Sequence, residues 1–144
     1  MLRNSDRETV DQLIKHFWQN GYLTISRRHG TYLPPPSPVG NYSVDAIGRY
    51  NKKYAIGIIL STEDIADSRT PAKLSFLATR QTRYSNKRVS LFVGVDAADL
   101  QKTKELVSKL NDDARRNIKL VVLDPQSSAN SESEGRKSFR LNLQ

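Results

Sequence analysis

Asp45 is the residue whose surroundings first suggest chemistry. It stands alone in the run SVDAIGRYNKKYAIGIIL, residues 43–60, where two strand-like segments flank a short polar turn. Side chains of a strand alternate between faces, so residues two apart share a face with those of a hairpin neighbour. Gly57 and Ile59 stand one strand later, where a partner charge is expected, and neither can ligate or titrate. A lone carboxylate can still help to hold Mg²⁺ when substrate phosphates supply further ligands. The competing reading is a surface or capping group at a strand start.

The cations form a second set. On a predicted helix after Pro71, Lys73, Arg80 and Arg83 fall on one side with Phe76 and Tyr84, opposite Leu74, Leu77 and Ala78, and Lys87 and Arg88 follow. Cations interleaved with aromatics can contact phosphates and stack on bases. Snorkelling side chains on a solvated face are the alternative. Arg27, Arg28 and His29 end the first predicted strand. His29 has no nucleophile placed near it and reads as a loop or phosphate-contacting residue, and His16 beside Phe17 as a boundary residue.

The elements that must position these groups follow from periodicity. Ser5 and Glu8 have capping-box spacing, and Val10, Leu13, Ile14 and Phe17 recur at helical intervals, which predicts a helix over 6–19 ended by Asn20-Gly21. An extended segment carries Leu23 and Ile25. The four prolines of PPPSPVG then exclude helix and ladder. Strands over 43–50 and 54–60 form an antiparallel hairpin through Asn51, Lys52 and Lys53. Residues 61–69 read as a polar connection, and Thr70-Pro71 starts a helix reaching about residue 84. RVSLFVGV is a near-continuous apolar strand, followed by a helix over 98–110 with Leu100, Val107 and Leu110 inward, and NIKLVVL is the last strand. Crossovers through helices favour parallel strands beside the earlier hairpin, so the sheet is mixed. The result is an α/β fold: a single domain with a central mixed sheet of about five strands flanked by helices, in the order α-β-β-β-α-β-α-β. The domain spans 1–124. Residues 125–144 read as a polar tail in which SFRLNL alternates enough for a short edge strand.

Whole-chain properties limit the function classes. The 144 residues suit one core. Lysine and arginine number 23 against 15 acids, a net charge of +8 that suits a polyanion such as nucleic acid. With no cysteine, disulfides, zinc ribbons and thiol nucleophiles are excluded. No apolar run approaches a membrane span and the N-terminus is too charged for a secretory signal, so the expected compartment is the cytoplasm. The Walker A, dinucleotide-binding, zincin and α/β-hydrolase motifs are all missing.

The element order, with QNGYLTI leading into the first strand, VDAIG opening the second and YAIGIIL forming the third, resembles the PD-(D/E)XK nuclease superfamily: the restriction-endonuclease-like fold and its Holliday-junction-resolvase-like members. The resemblance spans roughly residues 6–123. It implies that Asp45 occupies the position of the family's metal-binding Asp, that Gly57 stands where a Glu belongs and that Ile59 stands where a Lys belongs. In the family the carboxylates hold Mg²⁺ against the scissile phosphate and the lysine orients the attacking group. Asp6 on the packed side of the first helix, Glu63 and Asp64 past the third strand, and Lys73 are the residues that could be recruited instead. The resulting expectation is a nucleic-acid-binding, nuclease-like domain that has lost catalysis, with no cofactor, or Mg²⁺ if it is active. Its rivals are a working Mg²⁺-dependent endonuclease and a protein-interaction or scaffold domain acting as a homodimer.

Overall fold

The structure is a computed structural model that describes residues 3–81 and 88–123, with the backbone alone for 3–6. Helix α1 (Arg3–Gln19) turns through Gly21, at φ 90°, into β1 (Leu23–Arg27). β2 (Ala46–Tyr50) and β3 (Lys53–Ile59) form the expected hairpin. Its turn is tighter than predicted: Tyr50 pairs with Lys53 across Asn51 and Lys52, and Asn51 takes the left-handed backbone at φ 54° that asparagine tolerates. α2 (Thr62–Ala66), α3 (Thr70–Ala78), β4 (Ser90–Asp96), α4 (Leu100–Ser108), α5 (Asp112–Arg116) and β5 (Ile118–Leu123) complete the chain.

The strands lie in the order β1-β2-β3-β4-β5, the first three antiparallel and the last three parallel, which gives the expected mixed sheet with helices on both faces. One face carries Ile56, Ile58, Leu91, Val93 and Val95 against Leu74, Leu77, Ala78, Leu110 and Ala114 from the helical crossovers. Among the described residues the other is covered by α1 alone, whose Val10, Leu13, Ile14 and Phe17 bury Ala46, Ala55, Phe92, Val121 and Leu123. Phe17 meets Phe92 edge to face at 5.1 Å between centroids. On β2 and β3 the floor beneath α1 is made of small residues, Ala46, Gly48, Ala55 and Gly57, because the helix lies close there. A Cβ added at Gly48 would stand 2.9 Å from Phe17, and one at Gly57 would stand 2.8 Å from Leu13.

Several expected boundaries move, each for a local reason. α1 begins at Arg3, so Ser5 lies inside its first turn rather than capping it; nothing in Arg3 or Asn4 breaks a helix. β2 starts only at Ala46, because the Asp45 side chain is drawn to the β3 backbone as described below. The connection over 61–69 contains α2, closed by a true capping box: Asp64 N–H donates to Ser61 Oγ and Ser61 N–H to Asp64 Oδ2.

α3 stops at Ala78 rather than near residue 84. Thr79 Oγ1 donates to the Ser75 carbonyl, Arg80 Nε donates to the Phe76 carbonyl, and Val89 N–H returns to Arg80 O, so the chain turns back toward β4. The helix over 98–110 is a 3-10 turn (Ala97–Asp99) running into α4, and α5 follows unforeseen behind the Asn111 cap. The tail segment SFRLNL lies outside the described residues.

β1 is an edge strand, and its edge is partly closed. The register shifts between Thr24 and Ser26, and Arg27 N–H donates to the Pro34 carbonyl at 2.9 Å as the proline loop folds back along it. Bulges and proline are common guards of a sheet edge.

Candidate functional site

β1 and β3 run parallel to β4 and β5, with β2 reversed between them, so Arg28, Asp45, Ile59 and Ser61 meet at one end of the sheet. Ligands of α/β sheets favour the carboxyl ends of parallel strands. A small cleft of about 190 Å³ opens there, lined by Thr9 and Val10 of α1, Arg28, His29, Asp45, Ile59, Ser61 and Asp64.

Asp45 is 8% exposed, and both of its carboxylate oxygens are engaged. Ile59 N–H donates to Oδ2 at 2.8 Å and Arg28 Nη1 donates to Oδ1 at 2.9 Å. Its backbone is held as well, with Asp45 N–H to Gly57 O and Arg28 N–H to Asp45 O. The carboxylate thus stitches the start of β2 to the end of β3, and Arg28 neutralises it. His29 stands beside this pair in a left-handed backbone conformation, φ 59°.

The positions across from Asp45 are filled in a different sense. Gly57 points at Leu13 and Phe17, so a glutamate there would drive its side chain into the α1 interface. Ile59 is half-buried against the same cluster.

Of the recruits, Asp64 lines the cleft, although one oxygen serves the α2 capping box. Glu63 is exposed in the first turn of α2 and does not line the cleft. Lys73 lines a neighbouring depression with Asn41, Tyr42, Asp64, Asp67 and Arg69, so Asp64 stands between the two. The side chain of Asp6 lies outside the described ones. Among the described residues no group of three His, Cys, Asp or Glu side chains could hold a metal ion, so Asp45 gains no set of partner ligands.

The basic stripe is not assembled as the helical spacing implied. Arg80 lies beyond α3 and is folded over the Phe76 ring at 3.8 Å, half-buried. Arg88 pairs with Asp113 at 3.3 Å. Arg83, Tyr84 and Lys87 lie outside the described residues. The Arg27-Arg28 pair is split by the strand: Arg28 faces the cleft, while Arg27 pairs with Asp11 of α1 at 2.7 Å.

Sequence reasoning named Asp64 as a possible recruit but missed its part in the α2 cap, although the S-x-x-D spacing after Leu60 signalled one. It also passed over Asp99, a buried carboxylate that accepts from Thr62 Oγ1 at 2.7 Å and anchors α2 near the start of α4. No described helix is long and apolar enough to cross a membrane. Compared with protein-family models, with curated proteins and with solved structures, the chain matches none.

Proposed function

We propose that this chain is a nucleic-acid-binding domain of restriction-endonuclease-like build whose cleavage chemistry has been lost. The observation that carries the reading is the cleft at the strand ends, where Arg28 and His29 rim the buried carboxylate of Asp45 and α1 fills the space a second would need at position 57. Metal-assisted phosphodiester cleavage needs carboxylates free to hold the ion against the phosphate. Asp45 instead gives one oxygen to a backbone amide and the other to a guanidinium. A phosphate arriving at the cleft would compete with Asp45 for Arg28, which is half exposed, and the net charge of +8 favours its approach. Fold likeness by itself assigns no function, so the reading rests on these residues.

The test is binding of labelled single-stranded, duplex and four-way-junction DNA, and of RNA, across a salt series. Binding at about 50 mM salt that weakens steeply as salt rises is expected, with Arg28→Gln lowering the affinity and reducing the salt slope by about one. No binding to any of these at low salt rejects the reading. A parallel incubation with plasmid in Mg²⁺ or Mn²⁺ is expected to leave the DNA intact. Cleavage abolished by Asp45→Ala would establish a working nuclease instead.

A further inference from the structure

A second surface lies between α1 and β1 and shares no lining residue with the Asp45 cleft. Asp11, Ile14, Lys15 and Trp18, spaced i, i+3, i+4 and i+7 on α1, form one wall. Leu23, Thr24 and Arg27 of β1 form the other, and Leu33 of the proline loop completes the lining. The groove has a volume of about 680 Å³, within the range of sites that take several ligand groups at once. Three large apolar side chains that the fold leaves in water line it: Trp18 is 64% exposed, Leu23 71% and Leu33 38%. A contiguous apolar patch rimmed by polar groups marks an interaction surface more often than scattered exposed residues do.

The polar groups of the groove say what its occupant must bring. Asp11 is its one acid and is paired with Arg27 Nη1. Among the described residues, Arg27 Nη2 and Thr24 Oγ1 are buried without a hydrogen-bond partner. Both atoms are closed off from the groove itself, so the cation that the groove presents to an occupant is the exposed Lys15. Lys15 and Arg27 against Asp11 leave one positive charge over among the aliphatic walls, which favours an occupant that carries negative charge. A second copy of this chain fits poorly, since it carries the same +8 charge. Nucleic acid also fits poorly, since Ile14, Leu23 and Leu33 offer nothing to a phosphate.

We propose that the α1/β1 groove is a docking site for an acidic, apolar peptide segment of a partner protein, with its large apolar side chains against Trp18, Leu23 and Leu33 and a carboxylate at Lys15. Trp18 is the single tryptophan of the chain, so its fluorescence reports occupancy directly. The probes are short synthetic peptides in which Leu and Phe alternate with Glu, the same peptides with Lys for Glu or with Ser for Leu and Phe, and a single-stranded oligonucleotide of equal charge. The full chain is titrated with each.

The acidic apolar peptide is expected to bind and shift the Trp18 emission to the blue. Leu23→Ser and Lys15→Glu, both at exposed positions that leave the core intact, are each expected to weaken it by about tenfold or more. Circular dichroism of both variants must match the parent chain. The proposal fails if the Ser-substituted peptide or the oligonucleotide shifts the emission equally well, or if Leu23→Ser leaves the affinity unchanged. It also fails if sedimentation shows dimers that Leu23→Ser dissolves, because the occupant is then a second copy.

Discussion

Asp45→Ala strips the Ile59 amide of its acceptor and leaves Arg28 without its counter-charge. A loss of about 1–3 kcal/mol is expected, read from urea unfolding, because a buried amide is left unpaired. Asp45→Asn, which keeps an acceptor, should lose less; equal losses would mean that the ion pair rather than the amide bond sets the cost. Gly57→Ala brings a methyl group within 2.8 Å of Leu13 and is expected to cost about 1–3 kcal/mol. Combining it with Leu13→Ala should recover part of that cost relative to the sum of the two single changes. A glutamate placed at position 57 is therefore expected to unfold the domain. Burial and the neighbouring Lys15 hold the His16 pKa below its ordinary value, so the unfolded chain binds this proton more readily than the folded one. The stabilising contribution is full above pH of about 6.5 and falls as pH drops through the lowered folded value. His16→Gln should flatten that part of the stability-against-pH curve.

Elements were legible where periodicity ran long. Val10 to Phe17 gave α1, the apolar run over 89–95 gave β4, and the helical crossovers gave the parallel half of the sheet. Ends and short pieces were not legible, because they are decided by single side chains. The spacing of Lys73, Phe76 and Arg80 continued a helical pattern, but Thr79 and Arg80 bond carbonyls three and four residues back and the chain reverses. α2 and α5, five residues each, are too short for periodicity to register, and only their caps at Ser61 and Asn111 announced them. In the candidate site, the pairing of the Asp45 strand with the Gly57 strand could be read from alternation. That Gly57 is required by α1 could not, since sequence does not say which helix lies on which face. Ser61→Ala is expected to cost about 1 kcal/mol by removing the α2 cap. Because Asp64 reaches the cleft from that cap, the same change should also alter nucleic-acid affinity in the oligonucleotide titration if the cleft is the binding surface.

At the scale of the molecule, charge and shape separate the two surfaces. Binding at the cleft should weaken steeply with salt, whereas binding in the α1/β1 groove, carried by Trp18 and Leu23, should persist to higher ionic strength. A salt titration of the parent chain with each probe distinguishes them without any substitution. The Pro34 carbonyl that occupies the Arg27 amide has a further effect on how these molecules meet at high concentration. A strand arriving from outside finds that flank a damaged template, whereas the outward side of Ile118–Leu123 pairs with nothing among the described residues. A charged or proline residue placed in Leu23–Arg27 should therefore do little to delay the growth of any ribbon the protein forms, since that flank is guarded already.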